Sequence, residues 1–350
     1  MLRLVFMGSD AIALPALNWL AAEGSGIAQI VGVFTQPDRA AGRGQKVAPN
    51  AIKLWALGRN LPVLQPEKIG AAERQQLADL KPDVALVMAY GHILSQDVID
   101  TPQLGTLNLH TSILPKYRGA SPVQTAITCA ETETGVTLMR MVLKLDAGPV
   151  ADVERVKIDP LDTASAVEGK LAAACIPLLA RCLPKIAAGK EAYIAQDESQ
   201  ASYCRRLEKD DGVLDFELSA RLLAGRVNGL MPWPGCAVVI NGQVVKLGLA
   251  EVVDADLRAA SSAGASKDDG ARRAPSTPGL PGEILGADAE GLLVGTGQGI
   301  LRLSELQRPG GKMLPASEFL RGFPVAAGTR LASRPMPPLV AREPFLRRKG

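Results

Sequence analysis

An unbroken apolar run at residues 84–90 (VALVMAY) is the feature that most constrains the fold of this chain. A strand with one solvent face alternates apolar and polar residues, whereas a parallel strand covered by helices on both faces is apolar throughout. Shorter strand-like segments rich in apolar residues lie at 2–7, 30–34, 107–110 and 136–141. By the same reasoning each of them is expected to be a covered parallel strand. The first 160 residues are thus predicted to form βαβ units in a doubly wound, mostly parallel, Rossmann-like α/β sheet.

The chain is 350 residues long, more than twice the roughly 150 residues of a typical domain, so two domains are expected. A helix is predicted at residues 163–188, interrupted at Pro177 and Pro184. Farther along, short strands flank the hairpin signal Asn241-Gly242 and predict a small, OB-like β-barrel. The predicted division is a first domain at 1–189, a linker at 190–206, and a second domain at 207–350 that carries a flexible insertion at 259–282.

Composition excludes several classes of protein. The chain has only two histidines, so any metal site built on histidines would have to use both of them. Five cysteines without a CxxC pair argue against structural zinc and against a disulfide framework. Aromatic residues make up only 4% of the chain, which disfavours a nucleic-acid surface built from many stacking rings. The longest apolar stretch, residues 171–180, contains Pro177 and is shorter than the roughly 18 residues of a membrane span. We expect no metal, no membrane contact and a cytoplasmic location.

The richest chemistry lies at residues 105–122 (GTLNLHTSILPKYRGASP). Asn108 and His110 are two residues apart on a predicted strand, so their side chains share one face. Asp146 ends the second run, 136–146, and the three groups are expected to converge at strand ends. Acyl transfer to an amine needs an oxyanion donor, a proton carrier and a group that orients the carrier, which this trio supplies. Two alternatives stay open from the pattern alone: a structural histidine, and a serine hydrolase built on Ser112, which lacks a GxSxG elbow.

Residues 108–122 resemble the NxHxSLLPxxRGxxP signature of the formyltransferases that use 10-formyltetrahydrofolate, and GVTLMRM followed by LDAG resembles their downstream partner segment. Members of that family act on glycinamide ribonucleotide, on sugar amines or on methionyl-tRNA. The loop at residues 35–53 (TQPDRAAGRGQKVAPNAIK) resembles the TQPDRxxGRGxK loop of the members that act on methionyl-tRNA. Segments such as Pro232-Trp233-Pro234 resemble the C-terminal domain of the same members.

The resemblance implies transfer of a formyl group from 10-formyltetrahydrofolate to the amino group of initiator methionyl-tRNA. It implies Asn108, His110 and Asp146 as the catalytic residues. The implied folate contacts lie in two segments, and they are Met88, Tyr90, Gly91, Ser112, Ile113, Leu114 and Pro115. Thr111, Ile113 and the Gly8-Ser9-Asp10 end of the first strand depart from the usual family pattern. His92 stands where the signature sets no residue and is interpreted as a loop histidine.

Charge is distributed in a way that suits an RNA partner, although the formal net charge is only +3. The residues implied to contact tRNA are Arg39, Arg43 and Lys46, in a stretch without acidic residues up to Lys53. Residues 302–350 carry ten basic and three acidic side chains. A mobile surface loop and a solvated tail are the alternatives for these two segments. A formyltransferase for a small amine, such as a nucleotide sugar, and a non-catalytic RNA-binding protein stay as rival functions. A monomer is expected.

Overall fold

A computed structural model of the chain describes residues 1–41, 46–253 and 279–345. The predicted insertion at 259–282 lies outside these residues except for its last four positions. No helix in the described ranges is long and apolar enough to cross a membrane.

Strands and helices alternate over the first half of the chain. The strands are, in order, β1 (Leu2–Gly8), β2 (Ala28–Phe34), β3 (Arg39–Ala41), β4 (Lys46–Ala48), β5 (Val63–Leu64), β6 (Val84–Met88), β7 (Thr106–His110), β8 (Arg118–Gly119), β9 (Glu133–Arg140) and β10 (Val150–Lys157). The helices are α1 (Leu14–Ala21), α2 (Ala51–Leu57), α3 (Ala71–Asp79), α4 (Gln96–Ile99), α5 (Pro122–Thr128) and α6 (Ala164–Ala187).

Seven of these strands form the central sheet in the order β10-β9-β7-β6-β1-β2-β5. The five strands from β7 to β5 are parallel, so the prediction of a mostly parallel, doubly wound sheet is confirmed. The chain leaves β1 towards β2 on one side and later continues from β6 to β7 on the other. A ligand crevice is therefore expected at the carboxyl ends of β1 and β6, where the strand order reverses.

The expectation of a parallel strand at residues 136–141 is wrong. β9 runs antiparallel to β7, with Leu107 opposite Arg140 and His110 opposite Thr137. Burial on both faces made this strand as apolar as its parallel neighbours, and hydrophobic pattern alone does not report strand direction. The difference matters for the site, because β9 ends at the opposite edge of the sheet from His110.

Helices cover both faces of the central sheet. On β1, Leu4 and Phe6 pack into a core with α1, α5 and α6, whereas Val5 and Met7 pack into a second core with α3 and α4. β7 follows the same alternation: Leu107 and Leu109 belong to the first core, so Asn108 and His110 project from the other face.

Helix α6 is continuous through Pro177 and Pro184, contrary to the predicted interruption. Each proline removes one backbone hydrogen bond, a cost that the sequence pattern took as a break. The helix survives because a long apolar face is buried against the sheet, including Leu171, Cys175 and Leu178, each fully buried. Tertiary packing therefore outweighs the local preference.

The second half of the chain is built around an antiparallel sheet. Its elements are β11 (Tyr203–Cys204), α7 (Ala220–Gly229), β12 (Cys236–Ile240), β13 (Gln243–Val253), β14 (Ile284–Ala287), β15 (Leu292–Gly295), β16 (Ile300–Gln307), β17 (Leu314–Pro315), α8 (Ala316–Gly322) and β18 (Val340–Ala341). The strand order is β12-β13-β16-β15-β14, with β17 beside β16. Irregular register between Leu247 and Ala250 bends β13 and curls the sheet. The predicted small barrel-like domain is confirmed.

The two halves are joined through residues that the sequence assigned to a linker. β11 pairs with β8 on one side and with β18 on the other, so one small sheet contains strands from both halves. Gly225 on α7 lies close to α5, where a Cβ atom would come within 2.4 Å of the Ile127 carbonyl oxygen. Residues 190–206 therefore follow the surface of the first half, and the boundaries 1–189 and 207–350 stay a prediction.

Candidate active site

His110 stands at the carboxyl end of β7, nearly buried, with both ring nitrogens facing named groups. Nε2 lies 3.0 Å from the backbone carbonyl oxygen of Tyr117, so Nε2 carries a proton and donates it there. Nδ1 lies 3.7 Å from Asp146 Oδ2, too far for a direct hydrogen bond but close enough for a proton at Nδ1 to be attracted to the carboxylate. The nitrogen that is free to exchange a proton is therefore Nδ1.

Asp146 reaches His110 from a loop rather than from a strand end. Because β9 is antiparallel to β7, its last residue, Arg140, lies opposite Leu107 and not opposite His110. The chain therefore leaves β9 three residues, or about 10 Å, from His110. The loop at residues 141–149 folds back, and Asp146 adopts a left-handed backbone conformation with φ +47°. An aspartate tolerates this region better than most residues. The predicted convergence with His110 is found, but the route to it differs from the predicted one.

Gly119 holds the Asp146 carboxylate. Its backbone N–H donates to Asp146 Oδ2 at 2.8 Å. Gly119 has φ +123°, and a Cβ atom there would lie 2.1 Å from the Cys204 carbonyl oxygen. Only glycine meets both conditions, which gives the RG pair of the signature a structural reason.

Asn108 projects from the same face of β7 as His110. Its neighbours in register are Val87 on β6 and Met139 on β9. The Met139 sulfur lies 3.8 Å from Gln196 Nε2, which also hydrogen-bonds the backbone of Asp146. Within the described ranges, the Asn108 carboxamide has no hydrogen-bond partner, so its N–H groups remain available to a ligand oxygen. The structure thus brings Asn108, His110 and the Asp146 loop to one face of the sheet.

The loop Ser112-Ile113-Leu114-Pro115 crosses towards β9. Thr137 anchors it, because its hydroxyl donates to the Ser112 carbonyl at 2.6 Å and accepts from the Leu114 N–H at 3.2 Å. The Ser112 hydroxyl is fully buried and donates to the Lys116 carbonyl. It is therefore committed to the loop itself and faces no base, which removes the serine-hydrolase alternative.

Tyr117 fixes the far side of the same loop, with φ +60°. Its hydroxyl donates to Glu131 Oε1 at 2.7 Å, and burial raises the pKa of the Tyr117 phenol. Burial opposes ionisation of Glu131, but hydrogen bonds from Tyr117 and Lys116 outweigh it and lower the pKa of the Glu131 carboxyl. The carbonyl that holds His110 is therefore part of a rigid turn.

Met88, Tyr90 and Gly91 lie at the carboxyl end of β6, beside the start of the crevice. Ala89 and Gly91 both have positive φ, so the chain turns sharply around Tyr90. The Tyr90 carbonyl accepts from Gln36 Nε2 at 3.1 Å. The Tyr90 side chain points into the second core, where burial raises the pKa of its phenol and its hydroxyl has no partner in the described part of the chain.

His92 follows this turn and packs edge-on to the Tyr90 ring, with ring centroids 4.8 Å apart. Its Nε2 is buried and unpartnered among the described residues. No proton acceptor or donor in that part of the chain is therefore aligned with His92 Nε2, in keeping with its interpretation as a loop histidine.

In the basic loop β3 and β4 pair as antiparallel strands, and residues 42–45, which include Arg43, lie outside the described residues. Arg39 is exposed and donates to Gln36 Oε1 at 3.1 Å. Lys46 pairs with Ala41 between these two strands. Lys53, in contrast, is ion-paired with Asp38 at 2.6 Å, and hydrogen bonds from Gln65 and Lys53 lower the pKa of Asp38. Lys53 therefore forms an ion pair at the base of the loop, and its charge is neutralised within the protein.

The excess of basic residues near the C-terminus is also partly used within the protein. Arg302 pairs with Glu251 and Asp288 on the curled sheet. Lys246 and Arg308 line an open groove of about 290 Å³ beside β13 and β16, and they have no acidic partner in the described ranges. Arg347, Arg348 and Lys349 lie outside those ranges. Arg308 is thus one of several exposed basic residues in the described part of residues 302–350 that have no ion pair there.

Sequence reasoning missed the residues that surround the trio from the side of the assigned linker. Gln196 donates to the carbonyls of Asp146 and Gly148, and the Ser202 hydroxyl accepts from the Tyr117 N–H. Fully buried Arg118 is bidentate to Glu198, and hydrogen bonds from Arg118 and Lys144 lower the pKa of Glu198 to about 2. The polar composition of residues 196–202 indicated solvent exposure and gave no sign of these partners.

A family model described as formyl transferase matches residues 2–182, and one described as formyl transferase, C-terminal domain, matches residues 206–324. The methionyl-tRNA formyltransferase of Methylococcus capsulatus is 38% identical over 95% of this chain and 100% of its own length. That of Pseudomonas fluorescens is 40% identical over 91% of this chain and 93% of its own. In fold, the chain is similar to the sugar 3N-formyl transferase WlaRD (TM-score 0.62, 16% identity, 88% of this chain and 98% of that one). The chain therefore belongs to the formyl transferase family.

Proposed function

We propose that the chain transfers the formyl group of 10-formyltetrahydrofolate to the amino group of initiator methionyl-tRNA, giving N-formylmethionyl-tRNA and tetrahydrofolate. The observation that carries this proposal is the similarity to methionyl-tRNA formyltransferases over both halves of the chain, at 38% identity and 95% coverage. The structural relative crystallised with 5-N-formyl-THF supports a folate donor. Sugar formyltransferases share the fold at 16% identity, which supports no shared acceptor.

The trio has the groups that the reaction requires. The neutral α-amine of methionine attacks the formyl carbon, and the carbonyl oxygen becomes an oxyanion to which the Asn108 carboxamide donates. The amine then passes a proton to His110 Nδ1, since Nε2–H is held by the Tyr117 carbonyl. Asp146, 3.7 Å away, stabilises the resulting imidazolium. Nδ1 returns the proton to N10 of the folate as the bond between the formyl carbon and N10 breaks.

The substrates are assigned to the two sides of this trio. The folate is proposed to lie in the crevice between the turn at Met88, Tyr90 and Gly91 and the loop Ser112 to Pro115. The tRNA is proposed to contact Arg39, Arg43 and Lys46, and the exposed position of Arg39 supports this. With these substrates the expected place of action is the cytoplasm, and a monomer remains the expected state.

Formyl transfer with purified protein tests the proposal. The donor is 10-formyltetrahydrofolate, and the acceptors are methionylated initiator tRNA, methionylated elongator tRNA and a nucleotide amino sugar. We expect efficient transfer to the initiator tRNA alone, and none with the His110→Ala variant. Transfer to the amino sugar would establish the small-amine alternative. RNA binding without any transfer would establish the non-catalytic one.

A further inference from the structure

Gln196 lies where three segments of the site meet, and both ends of its amide are used. Its Nε2 donates to the carbonyl oxygens of Asp146 at 2.8 Å and Gly148 at 2.7 Å. Its Oε1 accepts from Arg118 Nε at 3.1 Å and Nη2 at 2.8 Å. The side chain thus connects the loop that carries Asp146 to the strand β8 that carries Arg118.

Only a carboxamide matches these partners. Two carbonyl oxygens need a donor at one end, and a guanidinium needs an acceptor at the other. A glutamate would keep the bonds from Arg118 but would set a carboxylate oxygen against two carbonyls. A leucine of similar size would satisfy neither end. Arg118 also donates to Glu198 and Tyr203, so its charge stays paired when Gln196 is replaced.

Near Asp146 the loop has two further bonds, from the Ala147 N–H to the Lys144 carbonyl and between the exposed Lys144 and Glu198 side chains, and neither of them involves Asp146 itself. Asp146 has φ +47°, and beyond the Gly119 N–H on its carboxylate its backbone carbonyl is held by Gln196. A turn that bends back over the sheet in an uncommon backbone conformation needs external bonds to stay in one geometry. Release of the Asp146 and Gly148 carbonyls would let the carboxylate move from its place opposite His110.

Residues 196–202 also position His110, which faces Asp146, through the backbone of Tyr117. The Ser202 hydroxyl accepts from the Tyr117 N–H at 2.9 Å, and the Ser202 carbonyl accepts from the Arg118 N–H at 2.8 Å. The Tyr117 carbonyl, in turn, accepts from His110 Nε2. Residues 196–202 therefore set both sides of the gap between Nδ1 and Oδ2, one through Gln196 and the other through Ser202.

We propose that Gln196 is a positioning residue for Asp146, which keeps the carboxylate at the distance from His110 that proton transfer requires. The inference rests on the proposed catalytic function of the trio. Gln196 acts through the backbone of Asp146 and contacts neither substrate in the proposed arrangement. Its loss is therefore expected to lower kcat and to leave the KM values for folate and tRNA unchanged.

The test compares Gln196→Leu and Gln196→Glu with Gln200→Leu. Gln200 is an exposed residue of the same segment, and its side chain bonds only to Asp197 among the described residues. We expect kcat to fall about 10- to 100-fold in both Gln196 variants, the scale of a displaced catalytic group. The KM values should stay within about twofold, and Gln200→Leu should match the wild type. Gln196→Glu separates the two ends of the amide, since it retains the bonds from Arg118. Wild-type kcat in Gln196→Glu would overturn the proposal.

A double-variant comparison distinguishes positioning from general damage. In an Asp146→Asn background, Gln196→Leu should change kcat by less than about twofold, because the carboxylate that it positions is already gone. An equal loss in both backgrounds would overturn the proposal. If Gln196→Leu does not fold, Gln196→Glu serves in the same cycle. Wild-type kcat in Asp146→Asn itself would instead overturn the catalytic function of the trio.

Discussion

Asp146 Oδ2 lies 3.7 Å from His110 Nδ1, although the strand that precedes Asp146 ends at the opposite edge of the sheet from His110. The proximity depends on a loop that folds back and is held by the Gly119 N–H and the Gln196 amide. The Tyr117 carbonyl fixes the other ring nitrogen. One rotation of the imidazole is thus selected, with Nδ1 turned towards the acid.

Replacement of Asn108 or His110 by alanine should lower kcat with little change in affinity for tRNA. Loss of an oxyanion donor costs about 10²–10³-fold in kcat, and loss of a general acid–base group costs about 10²–10⁴-fold. Steady-state formyl transfer to initiator methionyl-tRNA measures kcat, and filter binding measures tRNA affinity. Turnover like that of the wild type in either variant would contradict the assignment of that residue.

Tyr90→Phe should stabilise the protein, whereas Tyr117→Phe should destabilise it. Both phenols are buried, but the Tyr117 hydroxyl donates to Glu131 and the Tyr90 hydroxyl has no partner in the described residues. Removal of an unpartnered buried hydroxyl gains about 1 kcal/mol, and removal of a bonded one costs about as much. Thermal unfolding measures the two shifts, about 2–4 °C in opposite directions. A lower Tm for Tyr90→Phe would show that this hydroxyl is hydrogen-bonded in solution.

Arg43→Ala should weaken the productive binding of tRNA and leave the trio competent. We expect a higher KM for initiator methionyl-tRNA and an unchanged kcat at saturation. The slope of log binding constant against log salt concentration should become less steep by about one. Arg74→Ala is the matched control, since Arg74 is exposed on the same half of the chain and faces Asp97 at 3.7 Å. Identical KM and salt dependence in the two variants would exclude the loop from RNA contact.

The sheet, the curled second domain and the shared face of Asn108 and His110 followed from the sequence because each leaves a local pattern. The strands could be predicted from segments rich in apolar residues. The common face of Asn108 and His110 could be predicted from their spacing of two residues. The direction of β9, the loop that returns Asp146 to His110 and the hydrogen bonds of Gln196 could not be predicted. They depend on pairings between residues that are tens of positions apart, such as Gln196 with Asp146, and a polar glutamine in a polar stretch looks the same whether it is solvated or bonded.

Gly119→Ala should both destabilise the protein and slow the reaction. The new Cβ would collide with the Cys204 carbonyl oxygen. The alanine would also have to adopt φ +123°, a backbone conformation that costs about 1–3 kcal/mol. The Gly119 N–H would move away from Asp146 at the same time. Gly169→Ala is the control: this exposed glycine lies inside α6 with no described atom near its Cβ position, so the change should stabilise by about 0.5–1 kcal/mol. Tm and kcat that both equal the wild-type values in Gly119→Ala would contradict the close approach of β8 and β11.

Acid should weaken the attachment of residues 196–202 to the first half of the chain through Glu198. Hydrogen bonds from Arg118 and Lys144 lower the pKa of this carboxyl from 4.5 to about 2. A carboxyl whose pKa is lower in the folded than in the unfolded state stabilises the protein above pH 4.5, and this contribution is lost as the pH falls towards 2. Glu198→Gln should therefore flatten the dependence of the unfolding midpoint on pH between 4.5 and 2.

The comparison variant is Glu67→Gln, an exposed glutamate with no ion pair in the described ranges, which should retain the wild-type pH dependence. Because the Glu198 side chain is 52% exposed, added salt should reduce the difference between Glu198→Gln and the wild type. Urea unfolding at a series of pH values, at low and high salt, measures both effects. An unchanged slope in Glu198→Gln would contradict the lowered pKa of Glu198 and show that its bonds to Arg118 and Lys144 contribute no stability. The junction between residues 190–206 and β8 would then rest on the backbone pairing of β11 with β8 and on the contacts of Gln196 and Ser202.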